Sequence, residues 1–122
     1  MFNDARDRYL QVINSTDGSG TETAAIAQWR LGETFFHQNN HKQAIAAYSK
    51  TNANYSFEKW NSAALIQAGK CQEHLGNWKH AEKLYTQLLE KYPQSEYVVD
   101  TRERLARVRQ FATLPDNATQ TR

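Results

Sequence analysis

Cysteine is almost missing from this chain. Cys71 stands alone, so no disulfide framework can form within it. Proline is nearly as scarce, at two, and glycine is held to five in 122 residues. That is too little turn chemistry for many short strands joined by tight turns. No apolar run approaches the roughly 18 residues that mark a membrane span. The opening MFNDARDRYLQ lacks the apolar core of a secretory signal. Charge of one sign is lacking too. The 15 basic and 13 acidic residues leave a formal +2, and no segment gathers either sign into an arm. A nucleic-acid partner would call for a basic patch, so none is expected.

What is present is helical periodicity. Phe2, Ala5, Tyr9, Val12 and Ile13 form one apolar stripe at steps of three and four. NSTDGSGT, at 14–21, stops it with turn formers. A second stripe carries Ala24, Ala27, Leu31 and Phe35, and after NNH at 39–41 a third carries Ala44, Ile45 and Tyr48. Two more helices, FEKWNSAALIQAGKCQEHL and WKHAEKLYTQLLEKY, flank Gly76 and Asn77, and Pro93 closes the second of them. Ser95 is the expected cap of a last helix striped by Val98, Thr101, Leu105, Val108 and Ala112. Cys71 lies at helical spacing among apolar neighbours and reads as a small buried hydrophobe.

The helices repeat one another. Gly32 is followed twelve residues later by Ala44 and four after that by Tyr48, and Gly69, Ala81 and Tyr85 keep the same intervals. A glycine in mid-helix costs about 1 kcal/mol against alanine, so its use twice at one place points to close packing of helices. The expected arrangement is a hairpin whose arms cross where Gly32 meets Ala44 and Gly69 meets Ala81, with each tyrosine filling the wider gap beyond. Gly76 is expected to take the positive φ that ends a helix.

Leu31-Gly32, Phe35, Ala44 and Tyr48, then Leu65, Gly69, Gly76, Ala81, Tyr85 and Pro93, resemble the tetratricopeptide repeat. Departures are Ala68 for leucine, Gln72 for an aromatic, Thr51 and Leu88 for the later alanine, and no proline after the first full repeat. The resemblance implies an all-α fold of about six helices, paired as antiparallel hairpins and stacked into a right-handed solenoid. Residues 1–14 would be a half-repeat, 22–52 and 57–92 full repeats, 95–112 a following helix and 113–122 a flexible tail. LGETFFHQNNHKQAIAAY and GKCQEHLGNWKHAEKLYTQLLEKYPQSEYV are further similar to bacterial envelope proteins of the outer-membrane-assembly and Tol–Pal-associated type. That likeness implies a periplasmic or cell-envelope setting in preference to the cytoplasm, while the residues themselves leave location open.

No catalytic constellation accompanies these repeats. His37, His41, His74 and His80 straddle turns without a Cys or carboxylate at ligand spacing, so neither a metal nor a cofactor is expected. The arginines of ERLARVRQ read as a solvated face. The resemblance implies instead a concave groove for a protein or peptide. Its groove positions fall on Ile26, Trp29, Arg30, Glu33, Phe36 and His37, then on Ala63, Ile66, Gln67, Lys70, Glu73 and His74. His37 and His74 share a repeat position and are expected near one another. Trp29 and Phe36 stand off the hairpin seam, where they serve either as binding anchors or as packing against neighbouring helices. The subgroup of the family that reads a peptide C-terminus uses Lys and Asn where Trp29 and Glu33 stand, which argues against that ligand. The opening helix, read as half of a hairpin, offers a second use: stacking on another copy of the chain or on further repeats.

Overall fold

Turn geometry divides the chain into its helices. The structure, a computed structural model, describes residues 2–14 and 20–113, with side chains from Asp4 onward. Among these residues are six helices and no strand: α1 (Phe2–Asn14), α2 (Glu22–His37), α3 (His41–Asn54), α4 (Glu58–His74), α5 (Trp78–Lys91) and α6 (Val98–Arg109). The stop expected over 14–21 falls mostly outside the described residues, and so does the tail expected over 113–122. Thr21 caps α2, its Oγ1 accepting the Ala24 amide at 3.1 Å.

The ends of α2 and α4 are built alike. The amides of Asn40 and Asn77 donate back to the carbonyls of Phe35 and Gln72, each at 2.9 Å. The amides of Asn39 and Gly76 donate to Phe36 and Glu73 at 3.0 and 2.9 Å. Such a closure needs one left-handed residue. Gly76 supplies it at φ +73°, as its sequence position implied, and Asn39 supplies it in the first hairpin at φ +60°. The last helix is a correction to the sequence reading. Ser95 Oγ accepts the Tyr97 amide at 3.1 Å and heads a turn, so α6 begins only at Val98.

Each helix packs chiefly on the next one along the chain, and α2 also touches α4. Among the described residues α3 and α5 have no comparable contact. An array drawn together along one side bends toward that side, so α2 and α4 form the inner face of the stack.

The seam of each hairpin differs in detail from the expected glycine-on-alanine crossing. Ala44 and Ala81 are fully buried, but the space above each glycine belongs to a tyrosine ring. A Cβ on Gly32 would come within 3.0 Å of Tyr48 Cγ and closer still to two other ring carbons. One on Gly69 would lie 2.7 Å from Tyr85 Cζ. Tyr48 and Tyr85 are wholly buried in consequence, and each anchors a cluster: Tyr48 with Ala64, Ala68 and Cys71, Tyr85 with Leu65, Leu88, Val98 and Leu105. Thr51 and Leu88, which stand where the repeat pattern has alanine, are fully buried too. Gln72 replaces an aromatic and accepts Asn77 Nδ2 at 2.9 Å, tying its helix to the turn.

Candidate functional site

Burying a tyrosine at each seam leaves its hydroxyl needing an acceptor. Tyr48 donates to Glu33 of α2, which also accepts Gln67 Nε2 of α4 at 2.7 Å. Tyr85 donates to Glu73 of α4, which also meets Arg104 Nη1 of α6 at 3.4 Å. Each carboxylate thus joins three helices at the edge of the inner face. Burial, then the carboxylate, pushes both tyrosine hydroxyls far above their ordinary range. Burial would pull the Arg104 guanidinium down, yet Tyr85, Asp100 and Glu73 hold it above its ordinary value. Its Nε lies 3.2 Å from Asp100.

A hollow opens beside each of these carboxylates. One, of about 300 Å³, lies between α1 and α2 and is lined by Tyr9, Trp29, Arg30, Glu33 and His37. The other, of about 470 Å³, is lined by Phe36, Lys70, Glu73, His74, Trp78 and Arg104. Trp29 is half-buried, tilted against Trp60 of α4 with ring centres 5.4 Å apart, and its buried Nε1 has no acceptor. The exposed Arg30 guanidinium stands 6.0 Å from the Trp29 ring. Phe36 is half-buried and meets His37, His41 and His74 edge-on at 6.0, 5.8 and 6.2 Å. Both aromatics therefore pack on neighbours while keeping an edge in a hollow.

Two expected groove residues do not reach the groove. Ile66 is 2% exposed and belongs to the core cluster of Leu105 and Val98, and Ala63 is buried as well. The reason is that α4 is flanked by helices on both sides. Beyond its first turn it leaves only Gln67, Lys70, Gln72, Glu73 and His74 partly or fully exposed, and Ile66 lies about 100° from Gln67. Ile26 is half-buried. The histidines also regroup. His37 and His74 line different hollows, and the ring stacked on His74 is His41, with centres 4.6 Å apart and planes within 2°. His41 Nδ1 is buried without a partner. Burial, then the charge of His74, lowers its proton affinity.

Three residues of the second hollow's surroundings escaped the sequence reading: His41, Trp78 and Arg104. The first two had a signal. His41 and Trp78 each open the helix that follows a turn, 37 residues apart like the glycines. Arg104 had none, because its role depends on where α6 lies against α4.

Paired antiparallel helices stacked with a common inner side define a helical-repeat protein. The tetratricopeptide-repeat family model matches residues 26–56 and 63–95, just over half of the chain, and the chain belongs to that family. The two matches cover most of the α2–α3 hairpin and of the α4–α5 hairpin. No curated protein and no solved structure matches the chain. The family is non-catalytic, and its fold serves protein–protein interaction and scaffolding in general. No group of three or more His, Cys, Asp or Glu among the described residues could hold a metal. Among them, too, no helix is long and apolar enough to cross a membrane. Cys71 is fully buried, and that burial, then Glu33, pushes its thiol up to about 12, out of reach of thiolate chemistry at neutral pH.

Proposed function

We propose that the chain is a protein-interaction module that holds a peptide or protein segment along its inner face. The contacts would come from Trp29, Arg30, Glu33, Phe36 and His37 of α2 and from Lys70, Glu73 and His74 of α4. The observation that carries this reading is Lys70. Lys70 is half-buried and lines a hollow whose one carboxylate, Glu73, is already engaged by Tyr85 and Arg104. A cation kept at the rim of aromatic surface, with no partner among the described residues, fits a segment bearing acceptors beside apolar side chains. The aromatic edges of Trp29 and Phe36 supply the apolar surface.

The test starts from peptides selected on the immobilised chain from a random library. Binding is then located by amide chemical shifts and compared with an Arg30→Glu, Lys70→Glu double variant. Shifts along α2 and α4, with affinity changed tenfold or more by the charge reversal, support the reading. Shifts elsewhere, or unchanged affinity, favour a second one. In that second reading the chain is an assembly element that stacks on itself or on further repeats through the α1 end. It is favoured by Leu10 of α1, a large apolar side chain 41% exposed beside Arg6 and Asp7. Light scattering over a dilution series separates the two, since a self-stacking chain gains mass with concentration.

We further propose a periplasmic or cell-envelope setting for the module in preference to the cytoplasm. The likeness of its Gln-rich hairpins and of YPQS to outer-membrane-assembly and Tol–Pal-associated proteins supports this setting.

A further inference from the structure

The stacked imidazoles of His41 and His74 belong to different hairpins, one at the first residue of α3 and the other at the last residue of α4. They bring together the two turns that close α2 and α4, and Phe36 of α2 stands edge-on to both rings. We infer that His41 and His74 form an acid-sensitive joint between the two hairpins, closed while at most one ring carries a proton and opened when both do.

The surroundings resist a second charge. His74 is exposed and is the last residue of α4. His41 is at the N-terminal end of α3, where the helix's aligned peptide dipoles oppose a cation. Its Nδ1 is sealed from water with no acceptor. Among the described residues that line the hollow the one carboxylate is Glu73, whose Oε2 already meets Tyr85 and Arg104, and α4 sets Lys70 beside it. Arg104 brings a second cation from α6, and Trp78 of α5 brings none. On the α2 side stand Phe36 and His37, and on α3 itself Lys42 follows His41. Two imidazolium rings 4.6 Å apart would face one another among further cations.

The sign of the effect follows. The folded His41 binds its proton less readily than the unfolded chain does, first through burial and then through His74. Its contribution to closure is complete above the ordinary value of 6.5 and is lost as pH falls through the lowered folded value. The joint concerns the hairpins themselves and stands or falls apart from any partner.

Amide hydrogen exchange, corrected for its intrinsic pH dependence, reads the joint directly. The reporters are Asn40 and Asn77, whose amides close the two turns, with Tyr92 at the end of α5 as a distant control. Between about pH 7.5 and about pH 5, opening at the two reporters rises by up to about tenfold per pH unit while the second proton is taken up. His41→Phe keeps a ring in place and removes the proton site. The second hairpin carries Trp78 at that position, packed 4.9 Å from Phe111, so an aromatic ring suits it. In this variant the extra slope disappears. Equal slopes in the parent and the variant overturn the inference, and so does an equal loss of protection at Tyr92. Should the variant fail to fold, the His41 ring signals of the parent decide: a proton gained there with unchanged protection at Asn40 and Asn77 overturns it equally.

Discussion

The α2–α3 and α4–α5 hairpins reach one geometry with different residues, and the differences separate what the fold requires from what it tolerates. Both place a glycine under a buried tyrosine and both bond the tyrosine hydroxyl to a glutamate. The glutamates differ in position, however: Glu33 follows its glycine directly, whereas Glu73 comes four residues after Gly69. Their second partners differ as well, an uncharged Gln67 in one hairpin and a charged Arg104 in the other. The left-handed turn residue is Asn39 in one and Gly76 in the other. After the turn comes His41, stacked back on His74, or Trp78, set against Phe111. The steric rule is strict, then, while the polar solution is improvised in each hairpin. Variation therefore gathers in the polar partners and the turns, not in the seat of the tyrosine ring.

Three pairs of substitutions sharpen this contrast. The largest effect is expected where the hairpins agree: Tyr48→Ala and Tyr85→Ala should each cost about 3–5 kcal/mol in denaturant unfolding, through the cavity left on the glycine. Next come the hydroxyls, where the hairpins part. Tyr48→Phe should cost roughly 1–3 kcal/mol, because Glu33 keeps only a neutral amide partner. Tyr85→Phe should cost less, since Glu73 retains Arg104; equal losses would show that the second partner does not matter. The smallest effect belongs to the turns. Gly76→Ala should destabilise by about 1–2 kcal/mol, whereas Asn39→Gly should be neutral or gain a few tenths, asparagine being the side chain best suited to that conformation after glycine. A penalty from Asn39→Gly would mean that the Asn39 side chain has a role beyond its backbone.

Much of this was legible from spacing alone. The doubled Gly32–Ala44–Tyr48 interval gives the hairpins, since a mid-helix glycine is costly enough to demand a packing reason. Gly76 declared its turn through the one residue type free at positive φ. Asn39 did not, because asparagine in a polar turn carries no comparable signal. Ile66 was misplaced for a different reason: periodicity locates an apolar stripe, but not how many helices press on the same rod. The partnership of His41 with His74 spans 33 residues and depends on how two hairpins nest. No spacing rule within one helix reaches that far. Arg104 read as one of several solvated arginines until the position of α6 set it against Glu73.

The tyrosine seat underlies both hairpins, because each glycine gives its space to a buried ring. A double-mutant cycle on Gly32 and Tyr48, measured by chemical denaturation, examines it most directly. In the parent, Gly32→Ala should destabilise by about 1–3 kcal/mol, the ring being forced off its seat. In a Tyr48→Ala background the same change should stabilise by up to about 1 kcal/mol, alanine being the better helix former once the space is empty. A reversal of sign between the two backgrounds is the expected result. The same sign in both would mean that Gly32 is not held by Tyr48, and the seat would lose its place as the basis of the fold.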